Sequence, residues 1–138
     1  MFEVTGECHC GNIRIQLGLP NTPASYNPRV CDCDFCTRHG AAYISDAQGY
    51  LRLRIADPQQ SSTLRQGDEL AEMLHCSRCG ALVGATYRES GQIFATVNVR
   101  LIRGTAFGAE QSVSPKNLSR GEKVLRWAQL WFRDVRIS

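Results

Sequence analysis

Two stretches of the chain alternate apolar and polar residues with a period of two. Ile13, Ile15 and Leu17 alternate with Asn12, Arg14 and Gln16, and Leu51, Leu53 and Ile55 alternate with Arg52 and Arg54. That period puts the apolar residues on one face of an extended chain and predicts two half-buried strands. Gly18-Leu19-Pro20-Asn21 is expected to break the first, and Asp57-Pro58 to end the second. Residues 71–75, 82–87 and 93–99 are further strand candidates, with Glu89-Ser90-Gly91-Gln92 as the turn between the last two. Many short strands at close spacing, with few helical patterns, predict a mainly β domain.

The pattern changes near the C-terminus. Ser119-Arg120-Gly121-Glu122 fits a capping box, and Val124, Leu125, Ala128, Trp131 and Phe132 then recur at helical spacing. One amphipathic helix of about three turns is expected there, and Asp134-Val135-Arg136-Ile137 would add a final strand. Trp127 and Trp131 lie one turn apart on this helix. The expectation is that they pack it onto the sheet, with a role in covering a site as the minor alternative. Residues 104–118 carry Gly104, Gly108 and Pro115 and read as a long loop or a lid.

Length adds that the 138 residues suit a single domain, residues 1–138, with enough buried surface to fold without crosslinks. No apolar run approaches the roughly 18 residues of a membrane span. The start, Met1-Phe2-Glu3-Val4-Thr5, has neither a basic nor an apolar leader region. The expected location is therefore cytoplasmic.

Seven cysteines are unusual for such a chain. The odd count and the tight clustering argue against a disulfide framework and for metal ligation. This also alters the charge. The formal +3 counts every thiol as neutral; seven thiolates subtract seven and two divalent zincs restore four, which brings it to zero. The apparent basicity is then no sign of nucleic-acid binding.

Cys8 and Cys10 sit two apart and can grip one ion from a strand end. Cys76-Ser77-Arg78-Cys79-Gly80 has the form of a zinc knuckle, with a glycine that permits the positive φ such turns use. Together the two pairs supply four thiolates, the closed set of a structural zinc. Cys31, Cys33 and Cys36 remain. Three protein ligands with an open fourth position are the pattern of a catalytic zinc. His39 would close that site if it were a fourth ligand, and a third reading leaves the three cysteines as reduced core thiols. His9 should point away from the metal held by its neighbours, and His75 reads as an ordinary strand residue. Asp32 and Asp34 would either orient ligands or be solvated loop carboxylates.

Three thiolates over-neutralise a divalent ion, so an open site of this kind suits a substrate thiol better than water. A coordinating thiol is deprotonated. The implied chemistry is attack of that sulfur on an electrophile such as an aldehyde. Arg29, Arg38 and Arg78 would steer carboxylates of a thiol substrate, or be ordinary surface arginines.

Gly6-Glu7-Cys8-His9-Cys10-Gly11, then Cys31-x-Cys33-x-x-Cys36-x-Arg38 with Gly40-Ala41, then Cys76-x-x-Cys79-Gly80 resemble the glutathione-dependent formaldehyde-activating enzyme family over about residues 5–100. The tail with Trp127 and Asp134-Val135-Arg136 looks like some bacterial relatives of that family. The resemblance implies a β-tent of small antiparallel sheets around a structural zinc held by Cys8, Cys10, Cys76 and Cys79. It implies a second, catalytic zinc on Cys31, Cys33 and Cys36. It also implies an S-(hydroxymethyl)glutathione synthase activity, a carbon–sulfur lyase in reverse. Arg38 and His39 are the expected substrate contacts. Members commonly have His where Asp32 stands and Ser where Asp34 stands, and two carboxylates there would repel an anionic tripeptide.

The leading expectation is thus a zinc-dependent carbon–sulfur lyase or synthase that joins glutathione or a similar thiol to formaldehyde or another small aldehyde. The alternatives are a non-catalytic module with two structural zincs that binds a protein partner, and a zinc reservoir or redox sensor. An exposed sheet edge would suit a homodimer; neither nucleic acid nor membrane is expected as a partner.

Overall fold

The structure, a computed structural model, describes residues 1–65 and 70–138. In chain order the elements are β1 (Phe2–Glu7), β2 (Ile13–Leu19), β3 (Arg29–Cys31), α1 (Asp34–His39), β4 (Tyr43–Ile44), β5 (Tyr50–Ile55), β6 (Ser61–Arg65), β7 (Glu72–Cys76), β8 (Leu82–Glu89), β9 (Gln92–Asn98), β10 (Gln111–Val113), α2 (Arg120–Leu130) and β11 (Asp134–Ile137). The strands form two sheets, of order β1-β2-β5-β11 and β10-β3-β4-β9-β8-β7-β6. The fold is mainly β, as the alternation predicts. It is not wholly antiparallel, because β11 joins β5 and β10 joins β3 in parallel. It also holds a second, short helix, α1, where one C-terminal helix was expected.

The alternating residues of β2 and β5 face inward as a set. Ile15 pairs with Leu53 and Leu17 with Leu51 across the strands, and all four are buried. They meet Val83, Ala95 and Val97 of the larger sheet in one core. Strand β8 serves two environments: Val83 joins this core, whereas Leu82 and Ala85 join a second cluster with Cys36, Tyr43, Met73 and Trp131. Leu82 and Ala85 are three apart and share a cluster because the β7–β8 pairing shifts register between Leu74 and His75 and skips Val83, and the larger sheet so has two apolar faces. One is covered by the smaller sheet and the other carries the three-cysteine cluster.

Two strand boundaries depart from expectation. Strand β2 runs on through Gly18 and Leu19 instead of breaking. Gly18 pairs with Tyr50, and a Cβ there would run into the tyrosine ring, so the glycine admits the ring and does not mark a turn. Asn12 is buried before the strand, with its side-chain amide bonded both ways to the Asp57 backbone. The hairpin β8–β9 turns on Ser90 and Gly91, both at positive φ (51° and 80°), the geometry that a two-residue loop needs.

Helix α2 begins as the capping box predicts: Ser119 Oγ accepts from Glu122 N–H, and the Glu122 carboxylate accepts from Ser119 N–H. It ends at Leu130, two residues before the last apolar position of the pattern. Trp131 is already extended at the C-cap, and Phe132 exchanges backbone hydrogen bonds with Ala95 at 2.9 and 3.1 Å. Phe132 is fully buried as a plug between the sheets, and Leu125, expected on the inner stripe, is 67% exposed. No residue within α2 is fully buried. No helix among the described residues is long and apolar enough to cross a membrane.

Candidate metal centres

The first cluster is built by the turn after β1 and the turn between β7 and β8. The Sγ atoms of Cys8, Cys10, Cys76 and Cys79 all lie within 4.8 Å of one another. Cys8 and Cys10 are 3.7 Å apart and Cys10 and Cys76 3.6 Å. A tetrahedral ion with metal–sulfur bonds of about 2.3 Å spaces its sulfurs about 3.8 Å apart, so the four thiols fit such an ion. Backbone N–H groups point inward as a thiolate requires. Ile13 N–H donates to Cys8 Sγ at 3.2 Å. Burial pushes the Cys79 thiol up, but N–H donors of Ala81 and Cys10 and the neighbouring thiols outweigh it and bring it to about 6. Gly80, at φ 76°, turns the chain back toward Cys76, whose carbonyl accepts from its N–H at 2.8 Å.

The second cluster sits where β3 runs into α1. Cys31 ends the strand, Cys33 caps the helix, and Cys36 lies one turn in, with its N–H donating to Cys33 Sγ at 3.4 Å. The three Sγ atoms also lie within 4.8 Å of one another, and no fourth histidine, cysteine or acid among the described residues joins them. The thiol of Cys36, bonded to Cys31, holds the Cys31 thiol down to about 6 against the effect of burial, while Cys36 itself is pushed up. A divalent ion would replace the shared proton of this crowd. The donor set suits a thiophilic metal. The two clusters can therefore each hold a metal ion.

The second cluster opens into a cavity of about 470 Å³. Tyr43, Met73 and Ala85 form its apolar floor, and Trp127 of α2 and Trp131 at its C-cap roof it with rings stacked at 4.8 Å. The tryptophans pack α2 onto the larger sheet as expected, Trp131 among Tyr43, Met73 and Ala85 and Trp127 against the Tyr87 ring at 5.4 Å, and they also take the role held as the minor alternative by lining this cavity. Residues 104–118 contribute Val113, Pro115 and Lys116, so this segment is a strap across the mouth, tied to the body by β10 and by the Arg100–Glu110 ion pair at 2.7 Å.

Of the expected site residues, Arg38 and Arg29 line the cavity, and Asp34 does so as its only carboxylate among the described residues. His39 does not; it is exposed, with its ring against Phe35 at 4.6 Å. Arg78 is exposed beside the first cluster. His9 meets Arg103 and His75 meets Ser62, both away from the sulfurs. Asp32 turns to the strap, where Ser114 donates to it and Lys116 lies 3.8 Å away; it does not line the cavity, although its charge still acts against ionisation of the adjacent Cys31. Tyr43, Lys116, Lys123 and Arg126 also line the site and were not singled out by the sequence. Tyr43 O–H is 3.3 Å from Cys36 Sγ. Burial, reinforced by Cys36, pushes its pKa up, so the phenol keeps its proton.

A family model described as "Glutathione-dependent formaldehyde-activating enzyme" matches residues 3–119. The crystal structure of a Rhodobacter sphaeroides protein is similar at a TM-score of 0.55 and 30% sequence identity, over 74% of this chain and 90% of that one. No curated protein matches the chain.

Proposed function

The chain belongs to the glutathione-dependent formaldehyde-activating enzyme family, and from that premise we propose that it joins a thiol to formaldehyde or a similar small aldehyde at the three-cysteine centre, with zinc in both clusters. The observation that supports this most is the second cluster itself. It offers three thiolates, no fourth protein ligand among the described residues, and an open cavity at the free position. Bound there, zinc would supply a site that keeps a substrate thiol deprotonated and nucleophilic.

The chain's own residues do the rest. Arg38 and the other cations on the cavity wall attract an anionic thiol. The roof of Trp127 and Trp131 excludes water and thereby strengthens those charges. The sulfur forms a bond to the carbonyl carbon, the π pair of the C=O bond moves to oxygen, and the proton given up by the thiol finishes on that oxygen. Nothing is oxidised. Tyr43 holds a proton at its hydroxyl oxygen on the cavity floor, where an oxygen gaining charge needs a donor. The reverse reaction makes the same site a carbon–sulfur lyase. A cytoplasmic location, where thiols stay reduced, belongs to the same reading.

A non-catalytic module with two closed zinc sites would need a fourth protein ligand at the second cluster, and His39 is turned to Phe35 instead. The deciding experiment is NMR exchange between free formaldehyde and S-(hydroxymethyl)glutathione with the zinc-loaded protein. The expected result is faster exchange that is lost in Cys33→Ser. Exchange no faster than the spontaneous rate would overturn the glutathione–formaldehyde reading.

A further inference from the structure

Among the described residues, two arginines of the cavity wall have no acidic partner. The Arg29 guanidinium donates to Ser45 Oγ at 2.7 Å and to Thr96 Oγ1 at 3.3 Å, two neutral hydroxyls on buried residues. Among the described residues Arg29 makes no ion pair, and neither does Arg126 of α2, which lines the same cavity. Two guanidinium groups therefore line one cavity beside the stacked tryptophans. Like charges in a partly desolvated site cost stability unless an anion bridges them, and guanidinium groups bind carboxylates in a two-pronged geometry. Neither described acid nearby forms an ion pair with them: Asp32 Oδ2 accepts from Ser114 and lies 3.8 Å from Lys116 while its buried Oδ1 has no hydrogen-bond partner among the described residues, and Asp34 forms an ion pair with neither arginine.

The placement links this charge to the sulfurs. Arg29 and Cys31 are two apart on β3, so they share a face, and their Cα atoms lie about 6.6 Å apart along the strand. One small molecule can reach both. Arg126 lines the same cavity from a helix that starts after residue 119 and so lies outside the family-matched segment.

We propose that Arg29 and Arg126 clamp a carboxylate of the substrate, so that the enzyme takes anionic thiols in preference to neutral ones, and that α2 sets this preference. The place of the substrate sulfur rests on the function proposed above; the carboxylate site rests on the two arginines.

The chain has two tryptophans and both line the cavity, so all tryptophan fluorescence reports on it. The probe is γ-glutamyl-alanyl-glycine, a glutathione analogue without sulfur, titrated into the zinc-loaded protein. The expected result is saturable binding that weakens about tenfold or more in Arg126→Gln, the loss of one charge-assisted pair. The same loss is expected in Arg29→Gln, with circular dichroism to verify that this more buried variant folds. The probe with its carboxylates capped as amides should bind far more weakly. Equal binding by Arg126→Gln, equal binding of the capped probe, or no binding of the probe would each overturn the proposal. Carboxylate-dependent binding lost in Arg126→Gln, together with absence of formaldehyde exchange, would support the anion site and overturn the proposed reaction.

Discussion

The two cysteine clusters should differ in what they contribute to stability, because they crosslink very different lengths of chain. Cys10 and Cys76 stand 66 residues apart, whereas Cys31, Cys33 and Cys36 span one local turn, five residues from first to last. Treating a bound metal as a crosslink, the chain-entropy relation assigns about 4 kcal/mol to closing the long span and about 2 kcal/mol to the short one. The matched perturbations are the double variants Cys10→Ser/Cys79→Ser and Cys31→Ser/Cys33→Ser. Each leaves too few thiols to hold an ion, and none of the four cysteines is fully buried, so burial confounds the comparison little. Urea unfolding of the zinc-loaded proteins should show the first variant less stable than the second by about 2 kcal/mol. That is roughly 8 °C in melting temperature for a domain of this size. Equal losses, or a larger loss at the second cluster, would refute the division into a structural and a functional centre.

Phe132→Ala empties the fully buried plug between the sheets and should cost about 3–5 kcal/mol, read by the same unfolding assay. Ser119→Ala removes one arm of the capping box and should cost about 1 kcal/mol, visible as faster amide exchange over 120–123. The Arg100 guanidinium holds the Glu110 carboxyl below its usual range. A depressed folded pKa stabilises above the unfolded pKa and is lost as pH falls through the folded one. Glu110→Gln should therefore cost something near pH 7 and nothing in acid below the carboxylate range. Because Glu110 and Arg100 are 39% and 47% exposed, the neutral-pH cost should stay under about 1 kcal/mol.

Both clusters were legible because metal ligation fixes spacing in the sequence itself: C-x-C, C-x-C-x-x-C and C-x-x-C must be local to work. The strands β2, β5 and β7 to β9 were legible for the same reason, since alternation is a local signal. The short strands β3, β4 and β10 were not. Each is two or three residues long and owes its place to partners far along the chain. Helical spacing placed Trp131 and Phe132 on an inner stripe, but the same spacing serves a packing face and a roof. Only the close of α2 at Leu130 separates Trp131, over the site, from Phe132, between the sheets. Arg126 and Tyr43 carried no signal, because a lone arginine on a helix and a lone tyrosine in a strand are ordinary until the fold brings them to one cavity. Asp32 misled because adjacency to a ligand says nothing of which way a side chain turns.

The central claim is that one metal is closed by protein and the other is open to a thiol. Cadmium NMR of the cadmium-substituted protein tests this directly, because each ion reports its own sulfur set. Two resonances of equal intensity are predicted, of which only one shifts when glutathione is added. A single resonance, or two that both ignore glutathione, would contradict the account.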